Sequence, residues 1–125
     1  MNYEAQQWLG ESGEKKAEEF LRKKGYRWVA SNWRTRWGEI DLIMKDGPTL
    51  VFVEVKTRND GGSFGEPEEA VHAEKQKKLL KCAMTYLQKS GTEDRPFRFD
   101  VVSIGVFGIR HIEEAIVCDD DRYYF

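Results

Sequence analysis

Asp41, Glu54 and Lys56 fall inside two strand-like runs, Gly38 to Lys45 and Thr49 to Arg58, which are separated by Asp46-Gly47-Pro48. A turn centred between Gly47 and Pro48 sets Asp41 directly across from Glu54, and Glu39 across from Lys56. Opposed residues of an antiparallel pair have Cβ atoms about 4.5–5.5 Å apart. Two carboxylates at that separation repel, and one is driven toward protonation unless a cation joins them. A divalent, oxygen-seeking ion such as Mg²⁺ or Mn²⁺ relieves that repulsion with few protein ligands. Period-two alternation places Phe52, Glu54, Lys56 and Arg58 on one face of the second run, and Val51, Val53 and Val55 on the other. Asp41 and Glu39 are expected on the face of Glu54. The competing reading is a polar outer face on which Glu39 and Lys56 form a cross-strand ion pair. Against it, Val-Phe-Val-Glu-Val is almost continuously apolar, as in a strand covered on both sides.

The elements around this hairpin follow from composition and punctuation. Tyr3 to Lys24 is rich in Glu, Lys, Ala and Leu and reads as a helix, with Gly25 behind a basic last turn as its stop. Gly10 and Gly13 weaken its first half by roughly 1 kcal/mol each relative to Ala. Either the ordered helix starts near Ser12, or these glycines admit close backbone packing. At 100° per residue Ala17, Phe20 and Leu21 define the core side. Glu14 lies at the edge of that stripe, with Glu18 and Glu11 farther toward solvent, so Glu14 is the helical acid best placed to look at the sheet. Tyr26 to Arg34 is β-branched and aromatic and predicts a strand. Arg58 to Pro67 is a glycine-rich loop. A second helix runs to about Ser90, with Leu79, Leu80, Ala83 and Leu87 as its stripe and Gly91 as its stop. Phe97 to Gly105 is a further strand and Ile109 to Val117 a last one. The order αβββαβ plus a strand predicts one α/β layer structure with a mixed sheet.

The chain has 125 residues, which predicts a single domain over 1–125. Hydrophobic residues make up 40% and charged residues 34%, and no apolar run reaches the length of a membrane span, so no membrane partner is expected. Met1 to Glu11 lacks the basic and apolar regions of a secretory signal. Cys82 and Cys118 are far apart and read as reduced thiols, which with the missing signal predicts a cytoplasmic protein. A net charge of -2 argues against coating nucleic acid through bulk charge. The sign is uneven, however: Arg22-Lys23-Lys24, Arg34 with Arg36, and Lys75, Lys77, Lys78 and Lys81 form basic groups, and Asp119 to Asp121 an acidic one.

Taken together, GEKKAEEFLRKKGY, GEIDLI, VFVEVKTR, EKQKKLL and RFDVVSI resemble the YraN-like family of bacterial proteins, over about Leu9 to Ile104. That family is similar to archaeal Holliday-junction resolvases within the PD-(D/E)XK nuclease superfamily. The resemblance implies a restriction-endonuclease-like αβββαβ core with helices flanking a mixed central sheet. It implies Asp41 and Glu54 as the motif acids, Lys56 as the motif lysine and Glu14 as the helical glutamate. Ile40 stands where the motif's name has proline. In such nucleases the two acids and the carbonyl after the Glu, here that of Val55, hold Mg²⁺ or Mn²⁺, and the Lys orients or deprotonates the attacking water. Glu14 would hold a second metal or position the first one's waters. The implied activity is metal-dependent hydrolysis of DNA phosphodiester bonds, with branched or junction DNA as a substrate class and RNA left open. Resolvases act as dimers, which raises a homodimer here.

Secondary expectations attach to other residues. Thr57 and Arg58 continue the catalytic strand, where Arg58 would grip a phosphate. Lys75 and Gln76 fall where resolvase relatives carry an auxiliary polar residue. Arg34 and Arg36 lie among Trp28, Trp33 and Trp37, an aromatic–basic combination suited to bases, although core packing is expected of at least two of the tryptophans. Lys77, Lys78 and Lys81 read as a solvated helix face, and His72 and His111 receive no role. Two alternatives to an enzyme stand beside this reading: a non-catalytic nucleic-acid-binding module, and an interaction protein that keeps the fold.

Overall fold

The first described helix, α1, spans Gly13–Lys23, with Glu14 in its first turn and Arg22 and Lys23 in its last, the charge order its dipole favours. The computed structural model describes residues 13–58 and 73–116. The expected first turns of α1, the glycine loop after Arg58, His72, Cys118 and the acidic C-terminus lie outside the described residues. Gly25, at φ 99°, ends α1: its amide donates to Arg22 O (2.9 Å) and that of Tyr26 to Leu21 O (3.0 Å), the double closure of a Schellman turn. The second helix, α2 (Ala73–Ser90), ends the same way at Gly91, with Thr92 N donating to Leu87 O at 3.0 Å.

Five nine-residue strands complete the fold: β1 (Arg27–Thr35), β2 (Gly38–Asp46), β3 (Thr49–Thr57), β4 (Phe97–Gly105) and β5 (Gly108–Ile116). They form one sheet in the order β1-β2-β3-β4-β5. Only β3 and β4 run parallel, the pair whose connection carries α2; the other neighbours are antiparallel. This is the expected α/β architecture with a mixed sheet, and it is consistent with a restriction-endonuclease-like core. The β2–β3 register runs from Asp46↔Thr49 to Leu42↔Val53, the phase the turn at Gly47-Pro48 dictates.

Each helix covers one side of the sheet. Ala17 and Leu21 of α1 pack with Leu42, Met44, Val51, Val53, Val102 and Ile104. Leu79, Leu80, Ala83 and Leu87 of α2 pack with Ile43, Leu50, Phe52, Phe99 and Val101. Strand β3 is therefore buried from both sides, as its apolar run predicts. Trp33 and Trp37 pack against the α2-side core, while Trp28 is exposed. Both outer strands are irregular. The β1–β2 register shifts between Trp28 and Ala30 and Asn32 takes φ 51°; the β4–β5 register shifts between Phe99 and Val101 and Glu114 takes φ 50°.

One polar network lies within this frame. Asp100, 1% exposed, accepts from Arg98 Nε (3.0 Å), Glu114 N (3.1 Å) and His111 Nε2 (2.8 Å). Lys24 Nζ sits 2.8 Å from His111 Nδ1, which makes Nδ1 the acceptor and Nε2 the protonated nitrogen facing Asp100. Arg98 also reaches Asp46 (3.1 Å) and the Tyr26 hydroxyl (2.6 Å). Burial alone would raise the Asp100 pKa, but the bonds from His111 and Arg98 outweigh it and hold it low. His111, without a role in the sequence reading, is a structural tie between β5 and β4. No helix among the described residues is long and apolar enough to cross a membrane.

Candidate metal centre

Asp41 stands where β2 loses its alternation. Ile40 packs on the α2 side with Ile43, yet Leu42 packs on the α1 side, so two residues of equal parity face opposite ways. The β2–β3 ladder closes at Leu42↔Val53, and beyond it the Val55 amide donates to Asp41 Oδ2 at 2.8 Å. A carboxylate thus takes the amide of the residue that follows Glu54, at the point where β2 and β3 separate.

Glu14 arrives from α1, whose start is pressed onto the end of β3. A Cβ on Gly13 would lie 2.6 Å from Thr57 Oγ1, so only glycine lets the helix approach this closely. Gly13 thus packs closely against the Thr57 side chain, one of the two roles considered for these glycines, and Glu14 is carried inward with it; whether the helix begins earlier lies outside the described residues. Carboxylate oxygens of Glu14, Glu39 and Asp41 lie within 4.8 Å of one another. Glu39 is a member the motif reading left out. It pairs with exposed Arg34 at 3.4 Å and not with Lys56, which corrects the cross-strand ion pair considered above.

Glu54 stands on the α2 side of this group. It is 9% exposed, and Lys75 Nζ of α2 donates to its Oε1 at 2.5 Å while Lys56 Nζ lies 3.5 Å away. Burial raises the Asp41 pKa to about 7, helped by the charges of Glu54, Glu14 and Glu39 and opposed by the Val55 amide. Glu14 is raised too, first by burial and then by Glu39 and Glu54, against a hydrogen bond from Asn32 that favours its charged form. Burial lowers Lys56, and its hydrogen-bonded neighbour Lys75 lowers it further. Burial by itself would lower Lys75, but its bond to Glu54 prevails and raises it.

Hard oxygen donors at this spacing, with Asp41 held toward neutrality by burial and by the neighbouring carboxylates, fit a Mg²⁺ or Mn²⁺ ion. Asp41, Glu14 and Glu39 form the donor group, with Glu54 beside it. Val55, whose carbonyl the resemblance offers as a ligand, pairs with Val102 in the sheet and gives its amide to Asp41.

The other predicted residues divide. Lys75 joins the site directly; Gln76 is the next residue of α2 and half-buried. Thr57 ends β3 against Gly13, and the Arg58 amide continues the parallel ladder to Ile104 O at 2.7 Å. Arg34 reaches the centre only through Glu39. The Arg36 guanidinium and the Lys81 ammonium lie over the Trp37 ring, 4.5 and 4.2 Å from its centroid, at the β1–β2 turn. Asn32 was missed. An Asn within a strand carries little signal, and only its left-handed backbone and bond to Glu14 reveal it.

The fold and the carboxylate group together define an α/β protein with an acidic, lysine-flanked centre where β2 and β3 part. The chain belongs to the uncharacterised protein family UPF0102, whose sequence model matches residues 13–104. A UPF0102 protein of Symbiobacterium thermophilum is 55% identical over 96 residues, 77% of this chain and 80% of the relative. One of Persephonella marina is 42% identical over 113 residues, covering 90% of this chain and 97% of the relative. A third, of Thermodesulfovibrio yellowstonii, is 47% identical over 107 residues, 86% of this chain and 94% of the relative.

Proposed function

We propose that this protein is a divalent-metal-dependent endonuclease that hydrolyses DNA phosphodiester bonds. The observation that carries the reading is the convergence of Glu14, Glu39 and Asp41 within 4.8 Å, next to a Glu54–Lys56 pair on the adjoining strand. Asp41, Glu54, Glu14 and the Val55 carbonyl are the groups that would hold Mg²⁺ or Mn²⁺, with Glu39 in reach. When bound, the ion supplies charge stabilisation to a phosphoryl group undergoing in-line displacement.

The remaining steps belong to side chains. The Val55 amide fixes the Asp41 carboxylate, and Lys75 fixes that of Glu54. Lys56, biased toward its neutral amine by burial and by Lys75, accepts a proton from the attacking water. The water oxygen bonds to phosphorus, the bond from phosphorus to the sugar oxygen breaks, and the departing alkoxide takes its proton from solvent. Arg58, Arg36 and Lys81 would hold flanking phosphates.

The pairing of Glu54 by two lysines favours a second reading, a binding or interaction protein with a vestigial site. Against it, four carboxylates outnumber those two lysines, and Asp41 stays near a pKa of 7 even with them present. The deciding experiment is a cleavage panel of linear, flap, nicked and branched DNA and RNA in Mg²⁺ and Mn²⁺, run with wild type, Asp41→Ala and Glu54→Ala. Metal-dependent cutting lost in both variants is expected. No cutting of any substrate, or cutting that survives both substitutions, overturns the nuclease reading.

A further inference from the structure

The largest exposed apolar side chains among the described residues include two neighbours, Val106 (61% exposed) and Phe107 (90%). They form the two-residue turn joining β4 to β5, between Gly105 and its partner Gly108. Such turns favour Asn, Asp and Gly, because their backbone runs through positive φ. Val-Phe is off that type, and Gly108 at φ 128° supplies the permissive backbone. The Phe107 ring adds nothing to the turn and is nearly free of packing.

The position of this tip gives it meaning. Strand β4 runs parallel to β3, so its C-terminal end lies beside the C-terminal end of the strand carrying Glu54 and Lys56. Lys56 is level with Ser103, and Ser103 with Arg110 of β5. The Arg58 amide bonds Ile104 O at 2.7 Å, and a Cβ on Gly105 would lie 3.8 Å from Arg58 O. From the Lys56 row the tip is about three residues farther, roughly 10 Å at ~3.3 Å per residue. That distance corresponds to about three stacked nucleotides at ~3.4 Å each.

We propose that Phe107, next to Val106 in the turn, is a base-stacking wedge that engages an unpaired base of the DNA strand held at Lys56, and so selects branched or frayed DNA over continuous duplex. This rests on the reading that DNA occupies the acidic centre. The Arg58 backbone reaches the last residues of β4, and exposed Arg110 lies three residues past Phe107 on β5; basic side chains along the approach to an exposed aromatic are the combination that binds unpaired strands. A second copy of this chain is the weaker occupant. Two side chains fall far short of the roughly 800 Å² per partner of a standard protein interface.

The test measures equilibrium binding of full-length protein to 2-aminopurine-labelled DNA in Ca²⁺, comparing a flap with an unpaired base at the branch against a matched continuous duplex. Wild type, Phe107→Ala and Phe107→Trp are compared, with sedimentation velocity of each. Loss of one stacked base predicts about tenfold weaker flap binding by F107A, duplex binding changed less than about twofold, loss of 2-aminopurine quenching, and recovery in F107W. Equal weakening on both DNAs, or no weakening, overturns the wedge while leaving the cleavage result intact. A change in oligomeric state on F107A overturns it in favour of a contact between copies. Failure of wild type to bind either DNA overturns it together with the nuclease reading. Selective flap binding without metal-dependent cutting sustains the wedge and sinks only the catalysis.

Discussion

Replacing Asp41 with Asn tests the electrostatics of the centre without any substrate. The amide oxygen still accepts the Val55 N–H, so the change removes charge and little else. Asp41 has its pKa raised from 3.8 to about 7 in the folded protein. The folded state therefore binds its proton more tightly than the unfolded chain does. That contribution to stability is fully present below pH ~4 and is lost as pH rises through about 7. Three pKa units at 1.36 kcal/mol each set a ceiling of ~4 kcal/mol; partial exposure brings the expectation to about 2 kcal/mol. In EDTA, D41N should match wild type near pH 4 and exceed it by about 2 kcal/mol at pH 8, a Tm gain of roughly 8 °C. Urea unfolding at pH 4, 6 and 8 measures this; titrations remote from the site cancel in the difference, and relief of the coupled Glu14, Glu39 and Glu54 adds to the gain of D41N at high pH. Excess Mg²⁺ should reverse the order at pH 8, because it stabilises the ionised wild-type site in proportion to RT ln(1 + [Mg²⁺]/Kd). Equal stability of the two proteins at every pH, or a less stable D41N at pH 8 in EDTA, would refute the account of a crowded, uncompensated carboxylate group.

Other expectations follow from single contacts. Asn32→Ala should weaken Mn²⁺ binding about tenfold by calorimetry, through loss of its bond to Glu14, and Asn32→Asp, which has no N–H to donate to that carboxylate, should not restore the bond. Lys56→Met should lower kcat on whichever DNA the panel identifies by about 10²–10⁴-fold, and the wild-type rate should rise with pH through a lysine pKa below 10.5. Gly13→Ala should destabilise by about 1–3 kcal/mol in thermal denaturation, and Thr57→Ala in the same chain should recover part of that loss, because the clash is with Thr57 Oγ1. Asp100→Ala should cost about 2–4 kcal/mol at pH 7, because Arg98 keeps only Asp46 as a close acid partner and the His111 ring and Glu114 amide lose their acceptor; the wild-type advantage should shrink as pH falls below 4, through the depressed Asp100 pKa.

The hairpin register was legible from Asp46↔Thr49 to Leu42↔Val53 because one local fact, the turn at Gly47-Pro48, sets it; the expected oppositions of Asp41 to Glu54 and Glu39 to Lys56 lie beyond the end of that ladder. The helix stops at Gly25 and Gly91 were legible for the same local reason. What stayed hidden depends on departures from regularity or on distance along the chain. Strict alternation puts Asp41 on the face of Glu54. The break between Ile40 and Leu42 instead aims it at Glu14 and Glu39, and no residue type there announces a break. Asn32 is ordinary in composition and special only in its φ. His111 lacks a neighbouring ligand in sequence because its partners, Lys24 and Asp100, come from the end of α1 and from β4. Lys75 was placed near the site by resemblance, but its role as the clamp on Glu54 needed the packing of α2 against the sheet.

The irregular outer strands bear on how this chain behaves in a crowded solution. An open sheet offers unpaired amides and carbonyls along its two borders, and a flat border recruits strands from other chains. Here β1 is bent by its register shift and the left-handed Asn32, and β5 by its own shift and the left-handed Glu114. Arg27 and Arg34 on one border, and Arg110, Glu113 and Glu114 on the other, are exposed charges that further spoil the template. Among the described residues, growth of the sheet from copy to copy is thereby discouraged at both borders, which favours side-chain surfaces over the backbone for any self-assembly.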